Sequence, residues 1–188
     1  MKQCFKVLPF LVLFACGPQQ PSDQATTDAP VTQTPPSEDE LMLRLSSELE
    51  ANAETQAKID QNIIVNYAME NFLDIQKTPS GLYYQILEEG QGNLLHLGDH
   101  ILVHYRGTFH NAVEFDSSLS RNKPIECYVG KMIAGWNEGL QFTRIGGKIR
   151  LLIPSALAYG TTGLKAGDKI IVPPNSVLIF DIEVLEML

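Results

Sequence analysis

Thr78-Pro79-Ser80-Gly81-Leu82-Tyr83-Tyr84-Gln85-Ile86-Leu87 is where the chain changes its period. The first four residues are turn chemistry that stops a helix. From Leu82 the side chains alternate: Leu82, Tyr84 and Ile86 fall on one face of an extended chain, and Tyr83, Gln85 and Leu87 on the other. That is the period of a strand. Upstream the period is helical. No Gly or Pro interrupts residues 41–73, and apolar residues recur at Met42, Leu45 and Leu49, then at Ile59, Ile63 and Tyr67, with Ile64 and Ala68 beside them. This predicts a helical arm over 38–77, as two helices or one long one, because residues 50–58 are weakly patterned. Ser37 and Glu40, just after Pro35-Pro36, have capping-box spacing and predict its start. The apolar stripe could pack on its own domain or form a homodimer face.

Downstream of the turn, alternation predicts strands over 100–109, 125–129, 148–154 and 177–185. Ile101, Val103 and Tyr105 share one face of the first; Leu178, Phe180, Ile182 and Val184 share one face of the last. Residues 133–142 fit a single short helix. The expected fold class is therefore α+β: a twisted antiparallel sheet with one short helix over 78–188, preceded by the helical arm.

The N-terminus reads as an address. Lys2 and Lys6 precede the apolar run Val7-Leu-Pro-Phe-Leu-Val-Leu-Phe-Ala15, which is about half the length of a bilayer span. With basic residues ahead of it, residues 1–15 are expected to be a signal peptide. The run stops at Leu13-Phe14-Ala15-Cys16-Gly17, which resembles a bacterial lipoprotein cleavage site, so Cys16 is expected to be lipidated and to anchor the protein to a membrane. The expected location is the bacterial cell envelope, on the inner or outer membrane, with the domain outside the cytoplasm. Residues 17–37 hold five prolines and almost no large apolar side chain. Such a segment cannot offset its ordering entropy, and 16–37 is expected to be a flexible tether.

Composition removes several function classes. With 14 Lys+Arg against 22 Asp+Glu the net charge is −8, and losing Lys2 and Lys6 takes it to −10. This argues against nucleic acid as a partner. Cys4, Cys16 and Cys127 make neither a disulfide scaffold nor a four-cysteine zinc site. His100 and His104 lie four apart in a strand, roughly 13 Å from Cα to Cα, too far to share one ion, so no metal is expected. Gly146-Gly147-Lys148 lacks the spacing of a phosphate-binding loop, and no cofactor is implied. Cys127 reads as a small buried hydrophobe. What survives is a set of aromatics spread through the strands: Tyr105, Phe115, Trp136, Tyr159 and Phe180.

Their order along the chain is informative. Val103-His-Tyr-Arg-Gly107, Phe115-Asp-Ser-Ser118, Arg121-Asn-Lys-Pro124, Ile133-Ala-Gly-Trp-Asn-Glu-Gly139, Ala158-Tyr-Gly160, Val172-Pro-Pro-Asn175 and Leu178-Ile-Phe-Asp-Ile-Glu183 together resemble the FKBP-type peptidyl-prolyl isomerases over residues 78–188. The helical arm and residues 78–84 are similar to the exported, macrophage-infectivity-potentiator-like branch. The resemblance implies an FKBP-like sheet curled around the short helix, with an apolar pocket between them. In it Trp136 is the floor, and Tyr105, Phe115, Asp116, Tyr159 and Phe180 complete the catalytic set. Met132, Ile133, Val172 and Ile125 contact the substrate. The Tyr159 hydroxyl and the Ile133 N–H hold substrate carbonyls, and Asp116 lies beside the Tyr105 hydroxyl. Ile125 and Cys127 stand where many relatives carry phenylalanine. Residues 164–170 form a longer loop over the pocket, with Leu164 replacing a histidine.

The chemistry agrees with the missing nucleophile and metal. Rotation about an amide is opposed by about 18–20 kcal/mol of C–N double-bond character. The planar amide is the polar, charge-separated form, so a dry aromatic pocket disfavours it relative to the twisted one. X–Pro is the bond with an appreciable cis population. The expected partners are proline-containing unfolded or partly folded proteins and macrolides of the tacrolimus or rapamycin type. The competing expectation is a chaperone module that grips proline segments with little or no turnover.

Overall fold

Ser37 starts the first helix by accepting a hydrogen bond from the Glu40 N–H while the Glu40 carboxylate accepts one from the Ser37 N–H. In this computed structural model, which describes residues 35–188, the arm is two helices, α1 (Glu38–Ser46) and α2 (Gln56–Glu70). The signal peptide 1–15, Cys16 and nearly all of the tether 16–37 lie outside the described residues. Asn62 secures the link between the helices: its side chain accepts from the Glu50 N–H and donates to the Glu50 carbonyl. Thr55 caps α2.

The sheet contains β1 (Gln76–Lys77), β2 (Tyr83–Glu88), β3 (His100–Phe109), β4 (Glu114–Ser117), β5 (Ile125–Tyr128), β6 (Lys148–Ile153) and β9 (Leu178–Met187). All pairings are antiparallel in the order β1-β2-β6-β9-β3-β4, and β5 pairs with the first half of β3. A separate hairpin is formed by β7 (Leu164–Ala166) and β8 (Lys169–Val172). The short helix α3 (Ala134–Gly139) continues as a 3-10 turn over Leu140–Phe142. It lies close to β6: a Cβ on Gly135 or Gly139 would run into Ile153 or Leu151. The antiparallel sheet with one short helix is thus present. The strands β1, β4, β7 and β8 were not expected; they run two to four residues, too short to show a period.

Strand alternation gives the sheet two different faces. Ile149, Leu151 and Ile153 of β6 and Leu178, Phe180, Ile182 and Val184 of β9 point inward with Trp136 and Leu140. Leu152, Ile179 and Tyr83 point outward, where Leu41, Leu45, Ile64, Val65 and Ala68 of the helices cover them.

Of the two alternatives for the apolar stripe, the arm packs on its own domain. Gln76 and Lys77 pair with Tyr84 and Tyr83, so 78–81 is a hairpin turn, and residues 35–188 form one unit. The helical stripe is rotated from the expected one. The buried line of α2 is Asp60, Ile64, Val65 and Ala68, whereas Ile59 is 37% exposed. A carboxylate at the start of the buried line masked the period.

Candidate active site

Aromatic side chains converge from four elements on the inner face. Trp136, 2% exposed, rises from α3 and meets Tyr105 and Phe180 edge-on, with ring centroids 5.4 and 5.2 Å apart. Phe115 meets Phe180 at 5.5 Å, also edge-on. Gly107 makes this packing possible, since a Cβ there would lie 2.7 Å from Phe115 and 2.8 Å from Phe180. The indole N–H of Trp136 has no acceptor among the described residues, so the ring serves as an apolar floor.

These rings enclose a cavity of about 140 Å³. Its lining includes Tyr105, Phe115, Asp116, Ile125, Met132, Ile133, Trp136, Tyr159 and Phe180, all singled out in the sequence. Phe115 and Asp116 are consecutive, yet both reach the cavity. A bulge allows it: Asp116 pairs with Gly107 and Glu114 with Thr108, leaving Phe115 as the extra residue. Val172 is the exception. It is 1% exposed and packs in the core behind the wall, and its neighbour Ile171 faces the cavity instead. Adjacent residues of a strand point to opposite sides, and the short run 169–172 gave no period from which to choose between them. Leu164 also lines the cavity, so the hairpin β7–β8 forms its upper wall.

The polar groups lie at one end. The Tyr105 hydroxyl donates to Asp116, and Arg121 donates to both the Asp116 carboxylate and the Tyr105 oxygen, the latter at 2.9 Å. Burial pushes the Asp116 carboxyl up, but the hydrogen bonds from Tyr105 and Arg121 and the guanidinium charge outweigh it and hold its pKa below the ordinary value. Burial, then the hydrogen bond to Asp116, pushes the Tyr105 phenol up. Burial likewise raises Tyr159, with a smaller contribution from Asp116. Arg121 was missed as a site residue, although its spacing of five from Asp116 across a turn was a usable signal. Asn137 was missed too. Its carbonyl oxygen accepts from the Gly130 and Met132 N–H groups, its amide donates to the Met132 carbonyl, and so it fixes the loop that presents Met132 and Ile133.

Other candidate groups are spoken for. His100 stacks on Tyr128, and His104 is hydrogen-bonded to Ser118. Cys127 is buried, which pushes its thiol up to about 11.

The cavity is thus aromatic, with a carboxylate paired to Arg121 among its lining residues. The profile of the FKBP-type peptidyl-prolyl cis-trans isomerases matches residues 92–185, half of the chain. This chain belongs to that family. It is 44% identical over 114 residues to a probable FKBP-type peptidyl-prolyl cis-trans isomerase of Haemophilus influenzae, covering 61% of this chain and 46% of the relative. The crystal structure of FkpA from Escherichia coli is similar at 34% identity and TM-score 0.57, over 82% of this chain and 75% of that one. A peptidyl-prolyl isomerase structure from Pseudomonas syringae is similar at 28% identity and TM-score 0.60, over 73% and 97%. The chain spans about half the length of the curated relatives it matches.

Proposed function

We propose that this protein is a peptidyl-prolyl cis-trans isomerase that accelerates rotation about X–Pro bonds in proteins of the bacterial cell envelope. The observation that carries the reading is the cavity floored by Trp136 and walled by Tyr105, Phe115 and Phe180. A proline ring seated there brings its amide into a dry space. Water no longer stabilises the planar, charge-separated form, and the twisted amide is favoured relative to it. The Tyr159 hydroxyl and the Ile133 N–H are the donors placed to hold substrate carbonyls. Ile133 precedes α3, and its N–H bonds to no group among the described residues. Asp116 stays ionised but neutralised by Arg121, so it shapes the rim without moving a proton. Macrolides of the tacrolimus or rapamycin type are the ligands such a cavity would take, with Leu164 and Ile171 setting their affinity.

Isomerisation of a short proline peptide, followed directly, tests the catalytic reading. A rate no faster than the uncatalysed one, in folded protein that still suppresses aggregation of a proline-free client, would favour the chaperone alternative.

The same proposal places the protein on a membrane through lipid on Cys16. No helix among the described residues is long and apolar enough to cross a membrane. Cys16→Ser should release the protein from the membrane fraction. A variant that still fractionates with membranes, with unchanged precursor processing, sinks the anchoring claim.

A further inference from the structure

Asp60 is 1% exposed at the N-terminal end of the buried face of α2, and has no basic partner among the described residues. One of its oxygens accepts from both the backbone N–H of Ser155, at 2.8 Å, and the Ser155 hydroxyl, at 2.6 Å. The other accepts from the Gln56 amide at 2.7 Å. A buried carboxylate is costly unless its lone pairs are satisfied, so these three bonds are what permit it to be there.

Ser155 is the first residue of the 3-10 turn Ser155–Leu157 that leads to Tyr159. Its carbonyl accepts from the N–H groups of Ala158, at 3.0 Å, and Gly160, at 2.8 Å, the residues on either side of Tyr159. The donor and acceptor of the same residue are thus used in opposite directions: Asp60 holds the N–H, and the carbonyl holds the backbone flanking Tyr159. Tyr159 itself makes no side-chain hydrogen bond among the described residues, so its ring is aimed by backbone and packing alone.

We propose that Asp60 is a positioning residue for Tyr159, and that the helical arm thereby sets the geometry of the cavity on the opposite side of the sheet. The arm then works as a brace on the site as well as a cover for the outer face. The kinetic consequence rests on the isomerase reading; the structural link does not.

The experiment is a double-mutant cycle in the full chain with two readouts. Asp60→Leu removes the acceptor, whereas Asp60→Asn keeps the size and leaves an acceptor for the Ser155 N–H. With Tyr159 present, Asp60→Leu should lower kcat/KM about fivefold. In a Tyr159→Phe background its further effect should be under about twofold, because the two changes act through one group. Amide exchange at Ala158 and Gly160 should speed up about tenfold in Asp60→Leu relative to Ile182 in β9, and Asp60→Asn should restore most of both losses. Equal losses in the two backgrounds, or exchange that rises uniformly across the sheet, overturn the proposal and leave Asp60 a docking residue only. If Asp60→Leu does not fold, Asp60→Ala carries the same cycle, and Ser155→Ala, which loses the hydroxyl bond but keeps the N–H, should show a smaller change in both readouts. If the unaltered protein shows no isomerisation, the functional reading fails, and the exchange readout still decides the link between Asp60 and the Tyr159 turn.

Discussion

The inner and outer faces of the sheet are built from alternate residues of the same strands, yet they do different work. In β9, Leu178, Phe180 and Ile182 face α3, while Ile179 faces the helical arm. In β6 the inward residues are Ile149, Leu151 and Ile153, with Leu152 outward. Apart from Tyr83, the outer face is filled with aliphatic side chains under two helices. Beside Tyr67 of α2 it carries a register-matched ion pair, in which Arg150 donates to both oxygens of Asp181 at 2.6 and 2.8 Å. The inner face gathers rings that meet edge-on and stop short of filling the space. Aliphatic side chains repack around one another and close gaps. Stiff rings crossing at right angles leave a defined cavity. The outer face thus contributes mainly to stability, and the inner face gives up some packing to keep a site.

Removing residues 35–75 should break this division most severely. It uncovers Tyr83, Leu152, Val177 and Ile179 together. At about 1.5–3 kcal/mol for each large buried apolar side chain, the loss is on the order of 10 kcal/mol, comparable to the total stability of an ordinary domain, about 5–15 kcal/mol. The shortened chain should show no cooperative urea transition or a much lowered midpoint. A transition close to that of the full chain would mean that the arm contributes little to the outer face.

Phe180→Leu sharpens the contrast from the inside. The change should cost only about 1–2 kcal/mol of stability, because Leu still fills most of the space between Tyr105 and Trp136. It should lower kcat/KM by at least about tenfold by loosening the cavity wall. Tyr159→Phe removes one hydroxyl, worth about 0.5–1.5 kcal/mol, and should cost less. An Ile64→Ala change on the outer face should reverse the pattern, with about 2–4 kcal/mol of stability lost and kcat/KM of the folded fraction little altered. Equal kinetic losses from Phe180→Leu and Ile64→Ala would erase the distinction between the faces.

The sequence revealed these faces unevenly, for physical reasons. Long strands with one buried face repeat every two residues, so β3, β6 and β9 were legible from period, whereas Tyr105 and Phe180 were assigned to the cavity by the family resemblance. The strands β4, β7 and β8 are too short to show that repeat, and so the assignment of Val172 to the wall failed while Ile171 went unnoticed. The resemblance to a family located Phe115 and Asp116; the bulge that lets both reach one cavity has no signature in composition or period. Asp60 was the hardest to read. A charged residue on an apolar stripe looks like the stripe's edge, and only the distant Ser155 explains why it is buried there.

The smallest expected effect concerns pH, and it separates desolvation from proton transfer. Asp116 has a folded-state pKa below its unfolded value of about 3.9, because Tyr105 and Arg121 favour the ionised form over the opposing effect of burial. A group depressed in this way stabilises the fold fully above its unfolded pKa and loses that contribution as the pH falls through the folded value. Its influence is therefore confined to the acid side, below about pH 4. Tyr105 and Tyr159 are shifted the other way, above the ordinary phenol value of about 10, chiefly by burial. The cavity's own groups consequently keep one charge state between about pH 5 and 9, and kcat/KM on a proline peptide should be flat across that range. Asp116→Asn should leave the profile flat and lower the rate less than Phe180→Leu does, since its one amide oxygen can still accept from one of Tyr105 and Arg121 and the aromatic walls are unchanged. A bell-shaped profile in the unaltered protein, with folding constant across the range, would mean that a titrating group takes part in the reaction and that the inner face is more than a dry wall.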